Sequence, residues 1–192
     1  MIKTLTSVAA ALLLAGAAHA STVVTVDALA DSWNSGTGTG LDTGIALTSG
    51  ESFTVAVAAD DLWSAGALPR WSNANGLTGP IFAVAGDDSG KAPGTQIGQD
   101  FGTFTSGSST FAFGELVGSI DGGSYFAVGT HYTGTTATGG TLSLIYWDSY
   151  YGDNFGSIAA TVTAVPEPGS LALVLAGLGI VGGLARRRAS RG

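Results

Sequence analysis

Thr141-Leu142-Ser143-Leu144-Ile145-Tyr146-Trp147 and Ser157-Ile158-Ala159-Ala160-Thr161-Val162-Thr163, with Asp148 to Gly156 between them, decide the fold class. In the first segment Leu142, Leu144 and Tyr146 take every second position, and in the second Ile158, Ala160 and Val162 do the same. Successive side chains of a strand point to opposite faces, so this period sets one apolar face against a core. The stretch between them carries Asp148, Gly152, Asp153, Asn154 and Gly156, residue types that favour turns. Two strands joined by a polar loop follow.

The same period recurs upstream. Glu51 to Ala58 alternates Phe53, Val55 and Val57, and Ser124 to Tyr132 alternates Phe126, Val128, Thr130 and Tyr132. Thr22 to Val26, Ile81 to Ala85 and Phe111 to Val117 are further candidate strands, while no helix-period stretch of useful length occurs between Ser21 and Ala164. About seven short strands separated by Gly, Asp, Asn and Ser predict an all-β, antiparallel β-sandwich. Ser35 to Gly44, Thr105 to Ser109 and Thr133 to Gly140 read as loops, and no internal repeat is present.

Both ends of the chain read as sorting segments. Residues 1–20 combine Lys3, an apolar run from Val8 to Ala18, and Ala18-His19-Ala20, the pattern of a signal peptide cut after Ala20. At the other end, Val165-Pro166-Glu167-Pro168-Gly169 ends the folded domain, because two prolines bracketing a Glu continue neither strand nor helix. The apolar run Leu171 to Ala185 and then Arg186-Arg187-Arg188 follow. Fifteen apolar residues are fewer than the ~20 of a perpendicular spanning helix, but flanking residues extend the run and the Arg cluster favours the cytoplasmic side. Pro166-Glu167-Pro168, an apolar segment and a terminal Arg cluster resemble the PEP-CTERM sorting signal. That resemblance implies recognition by an exosortase, a transient inner-membrane anchor in the C-terminal helix, and delivery to the cell surface or extracellular matrix. It also implies a Gram-negative producer of exopolysaccharide. The expected division is therefore a signal peptide over 1–20, a β-sandwich over 21–164 and a sorting segment over 165–192.

Between Ser21 and Ala164, 13 carboxylates face only Arg70 and Lys91, a formal charge of −11. Such a domain repels phosphate backbones, which excludes nucleic acid as a partner and favours cations. There is no cysteine, so no disulfide contributes to stability outside the cell. Catalysis has little to stand on. His131 is the domain's one histidine, at the end of a predicted strand, and neither a Gly-x-Ser-x-Gly elbow nor a His-Glu-x-x-His pair occurs. Asp60-Asp61 and Asp87-Asp88 are adjacent pairs of the kind that turns leave solvated, so a glycosidase reading is not favoured. The expectation is a non-enzymatic protein.

The loop Asp148-Ser149-Tyr150-Tyr151-Gly152-Asp153-Asn154 is sharper. Asp148, Asp153 and Asn154 offer hard side-chain oxygens within seven residues, the ligand type Ca²⁺ selects, with backbone carbonyls to complete its shell. Thr141 to Tyr146 followed by Asp148, then Tyr151 to Asn154, then Gly156-Ser157, resembles the end of the PA-IL-type galactophilic lectins. Leu47-Thr48-Ser49-Gly50-Glu51-Ser52-Phe53-Thr54-Val55, and then Ala58-Ala59 and Trp63-Ser64-Ala65-Gly66, resemble that family's early turn, strand and loop. The similarity runs with gaps over roughly Thr25 to Thr163.

This resemblance implies a small jelly-roll-like β-sandwich with a Ca²⁺ ion at one end, held by the last hairpin loop and an upstream backbone carbonyl, with two sugar hydroxyls completing its coordination. Asp148, Asp153 and Asn154 match the loop ligands, a carbonyl near Ala65 the upstream one, and Tyr150 the region of a further backbone carbonyl. With Asp148 and Asp153, the residues Asn75, Trp71 and Tyr151 are candidates for carbohydrate contact. The loop is about two residues shorter than the family's, and the family's His and Gln sugar contacts have no counterpart in Trp71-Ser72-Asn73-Ala74-Asn75-Gly76. The expected function is calcium-dependent binding of an extracellular polysaccharide or glycan, galactose-like in class. The rival expectation is a structural matrix protein that keeps the sandwich without the sugar site.

Overall fold

The computed structural model describes residues 20–34 and 38–165, and in the tail 177–179, 182, 186 and 187. The chain divides into two compact units, His19–Pro166 and a second made of Met1–Ala18 with Glu167–Gly192. The expected signal peptide, apart from Ala20, and most of the apolar sorting run lie outside the described residues. The six described tail residues are helical and exposed, and among the described residues no helix is long and apolar enough to cross a membrane.

The described residues of the first unit form fourteen strands. In chain order they are β1 (Ala20–Asp27), β2 (Leu41–Leu47), β3 (Ser52–Val57), β4 (Trp63–Ser64), β5 (Trp71–Ser72), β6 (Ile81–Phe82) and β7 (Gln96–Gly98). Then come β8 (Thr103–Ser106), β9 (Ser109–Ala112), β10 (Glu115–Ile120), β11 (Phe126–Ala127), β12 (His131–Thr135), β13 (Gly140–Trp147) and β14 (Ser157–Val165). Two four-stranded antiparallel sheets carry the fold, ordered β1-β14-β3-β12 and β11-β10-β13-β2. Three short ribbons, β4–β5, β6–β7 and β8–β9, pack around them.

The all-β reading holds. Val26, Phe53, Val55, Ile158 and Val162 from the first sheet meet Leu116, Leu142, Leu144 and Tyr146 from the second in one buried cluster. Each large side chain withdrawn from water in this way contributes roughly 1.5–3 kcal/mol. Trp63 lies inside the cluster, edge-on to Tyr146 at 4.5 Å between ring centres, and its Nε1–H donates to Gly114 O at 2.9 Å.

Several local expectations are corrected. The last two strands do not form a hairpin: β13 belongs to one sheet and β14 to the other, so Asp148–Gly156 is a crossover between layers. Ser124–Tyr132 is two strands in different sheets. The chain turns at Gly129, where φ is +59°, and Asn75 Oδ1 holds the next residue by accepting from Thr130 N at 2.8 Å. Phe111–Val117 likewise breaks at Gly114, φ +74°, whose N–H donates to Trp147 O at 2.8 Å. Ile81–Ala85 forms only β6, because Val84 N donates to Asp87 Oδ2 at 2.7 Å and bends the chain into a turn. Three predicted loops contribute strand residues, to β2, to the hairpin β8–β9 and to β12.

β13 is also buried on both faces toward its end. Ile145 and Trp147 face away from the inter-sheet core, yet are only 1% and 0% exposed. Trp33, Phe104, Phe111 and Tyr125 surround the Trp147 ring at 5.1–5.6 Å between centres, and Trp147 Nε1–H donates to Phe104 O at 2.8 Å. The β8–β9 ribbon thus supplies a partial third layer that fixes the strand end leading to Asp148.

Candidate functional site

The crossover loop is tied to a distant part of the chain by backbone pairing. Ser64 N donates to Phe155 O at 2.8 Å and Phe155 N donates to Ser64 O at 3.0 Å. This bridge sets the Trp63–Gly66 loop against Asp148–Asn154. A cleft of about 210 Å³ results, lined by Ala65, Arg70, Phe101, Phe113, Asp148, Ser149, Tyr150 and Asp153.

β13 carries Asp148 from the buried end of the sheet, which leaves it 5% exposed. Its Oδ1 accepts from Tyr150 N at 3.1 Å. Burial pushes the Asp148 carboxyl up to about 6, the Asp153 charge adds to that, and the backbone N–H groups and Arg70 oppose it. The Tyr146 hydroxyl, buried behind the loop, is pushed up by burial and by the charges of Asp148 and Asp153. A 3₁₀ turn over Tyr151–Asp153 closes the loop, capped by Asn154 N donating to Tyr151 O at 3.1 Å.

Asn154 is clamped from one side only. Its Nδ2 donates to Ala28 O at 3.0 Å, while its Oδ1 is buried with no hydrogen-bond partner. A buried acceptor left without a donor is costly, and such a group calls for a partner, whether water, ion or ligand. A carboxamide oxygen, two carboxylates and a carbonyl form the donor set of a hard cation. Among the described residues no three His, Cys, Asp or Glu side chains cluster as a metal site, so any cation here depends on amide and carbonyl oxygens as well.

Arg70 stands at the mouth. Its Nη1 lies 3.7 Å from Asp153 Oδ2 and 3.5 Å from Ala65 O, and its Cζ sits 4.3 Å from the centre of the Phe101 ring. Gly66, at φ +115°, admits this approach, since a Cβ there would overlap the Asp153 carboxylate.

Ala65, Asp148, Tyr150 and Asp153, all singled out in the sequence, therefore share one cleft, and Asn154 adjoins Asp153 in the chain. Tyr151 is beside it, half exposed, with its ring 6.3 Å from that of Tyr150. Trp71 and Asn75 sit elsewhere. Trp71 is buried with Leu62, Ala83 and Ile97 in a satellite cluster, edge-on to Phe155. Asn75 spends its Oδ1 on Thr130. Sequence reasoning missed Arg70, Phe101 and Phe113 as lining residues. Arg70 carried a signal, being the domain's one arginine; the two phenylalanines carried none. His131 is exposed on β12, 3.3 Å from Thr133 Oγ1.

β14 ends at Val165, directly before Pro166-Glu167-Pro168, and residues 164–189 match the PEP-CTERM protein-sorting motif. The chain carries a PEP-CTERM sorting signal. The PEP-CTERM signal marks export and cell-surface sorting in bacteria, and Pro166, Glu167, Pro168 and Arg186–Arg188 fall within the match. No curated protein matches the chain significantly. Among solved structures, the chain is similar to the N-terminal domain of EclA, described as a PllA-like lectin. The two share 21% sequence identity over 74% of this chain and 95% of that one, with a TM-score of 0.46.

Proposed function

We propose that this PEP-CTERM protein is a surface carbohydrate-binding protein that holds its ligand through a calcium ion in the Asp148–Asn154 cleft. The observation that carries the reading is that Asp148, Asp153 and Ala65 line one cleft, while the Oδ1 of Asn154, the residue after Asp153, is buried without a partner. These residues would hold the ion, with a Tyr150 backbone carbonyl as a further candidate. Sugar hydroxyls are neutral and well hydrated, so ordinary hydrogen bonds give them little net gain over water. A bound Ca²⁺ supplies open coordination positions at which a vicinal diol replaces water. Tyr150, 63% exposed, and Tyr151, 39% exposed, present ring surface beside the cleft for the apolar face of a pyranose. In this reading the partners are an extracellular polysaccharide or glycan, with an exosortase and the inner membrane met in transit, in a Gram-negative, exopolysaccharide-producing cell.

A glycan array probed with the purified full-length chain, with calcium and with chelator, tests the proposal. Retention of galactosides or matrix polysaccharide only in calcium supports it, and a calorimetric titration without any calcium heat sinks it. The second reading is a structural matrix component that keeps the sandwich without a sugar site. Arg70 at the mouth of the cleft, the packing of Trp71 and the commitment of Asn75 Oδ1 to Thr130 favour that reading. It predicts calcium heat, if any, with no glycan retained.

A further inference from the structure

Arg70 is out of place at a site meant for a divalent cation. It is one of two basic side chains between Ser21 and Ala164, yet it lies against the acidic loop, reaching Asp153 and Ala65 O with a single nitrogen. Both distances, 3.7 Å and 3.5 Å, are long for a guanidinium that pairs closely with a carboxylate. The group is half exposed and rests on the Phe101 face. It neutralises part of the loop's charge but reaches only one side of it: Asn154 Oδ1 stays unpartnered.

We propose that Arg70 is a displaceable internal counterion that competes with the metal for Asp153 and the Ala65 carbonyl, and so sets the calcium affinity of the site. The inference rests on the calcium reading above. Two like charges cannot share these oxygens, so the ion enters only as the guanidinium swings outward along Phe101. The contacts it gives up are weak ones, a half-exposed ion pair and a cation–π contact. Calcium brings a stronger charge and more coordination positions, and it also satisfies the oxygens that Arg70 leaves bare. Without metal, Arg70 keeps Asp148 and Asp153 from standing together uncompensated. It is therefore a positioning residue for the apo loop and a rival to the ligand.

The test is a calcium titration of the full chain by calorimetry, for wild type, Arg70→Gln and Arg70→Lys, together with melting curves in chelator and in saturating calcium. Removing the competitor is expected to tighten calcium binding about tenfold in Arg70→Gln, since the lost contacts are of exposed strength. Arg70→Lys, which keeps the charge but loses the planar stacking, is expected to fall between the two. In chelator Arg70→Gln melts below wild type, and in saturating calcium the difference closes or reverses; a bystander arginine would not give that crossing. Calcium affinity unchanged or weakened in Arg70→Gln overturns the proposal and leaves the calcium reading intact. Absence of calcium heat in all three proteins overturns the calcium reading itself, and this inference with it. Should Arg70→Gln fail to give a cooperative melt, Arg70→Lys decides: tighter binding than wild type supports competition, equal binding refutes it.

Discussion

Two acidic clefts at loop tips make a useful comparison. One, about 380 Å³, gathers Asp60, Asp61, Asp87 and Asp88; the other holds Asp148 and Asp153. The first has more carboxylates and less to offer a cation. Asp61 Oδ2 accepts from Ala159 N at 2.7 Å, Asp88 Oδ2 from Leu62 N at 2.9 Å, and Asp87 accepts from Val84 N and the Ser89 hydroxyl. Asp61 fastens its loop to β14, Asp88 ties its loop to Leu62, and Asp87 closes its own turn. In the second cleft one carboxylate is buried, a neighbouring amide oxygen has no donor, and an arginine leans over the rest. Oxygens without donors, rather than a count of acids, are what a cation would need.

The largest expected effect breaks the comparison at its stronger side. Asp148→Ala with Asp153→Ala removes both carboxylates and is expected to abolish calcium heat in calorimetry, while the protein still folds. Titratable heat surviving that double change would place the ion elsewhere. The next effect is a pH dependence. Asp148 titrates near 6 rather than near 3.8, so the native state holds a proton there that the unfolded chain has released. For the metal-free protein this carboxyl favours folding below about 4, and that contribution is lost as pH rises through about 6. Calcium needs the carboxylate, so its binding tightens over the same rise. Of the charged groups around Asp148, Asp153 moves the midpoint up and Arg70 moves it down. Between pH 7 and pH 5 calorimetry should show affinity falling about tenfold. A flat profile would mean that Asp148 is not a ligand. The smallest effect sharpens the weaker side: Asp61→Ala loses the bond to Ala159 N and should cost about 1 kcal/mol in a denaturant melt, with calcium affinity unchanged.

How much of this was legible in the sequence follows from how far each residue's partners lie along the chain. β3, β13 and β14 could be read from alternation because each buries one face against the facing sheet. The double burial of β13 could not, because Phe104 and Phe111 cover Trp147 from the β8–β9 ribbon some forty residues upstream. The strand breaks at Gly114 and Gly129 were hidden for a similar reason, the turns being fixed by Trp63 and Asn75 from remote segments. At the site, the oxygen-bearing residues stood together in the sequence. The meeting of Arg70 with Asp153 depends on the Ser64–Phe155 bridge, which no local pattern announces.

β14 starts at Ser157, just after the crossover loop, and runs nine residues to Val165, where the sorting signal begins. At about 3.3 Å per residue, that strand spans roughly 30 Å. It is a stiff mast with the crossover loop at its N-terminal end. Because β1 pairs with it from Ala20↔Ala164 to Asp27↔Ser157, the mast is braced along its length, so a load on its last residues is shared across the whole ladder.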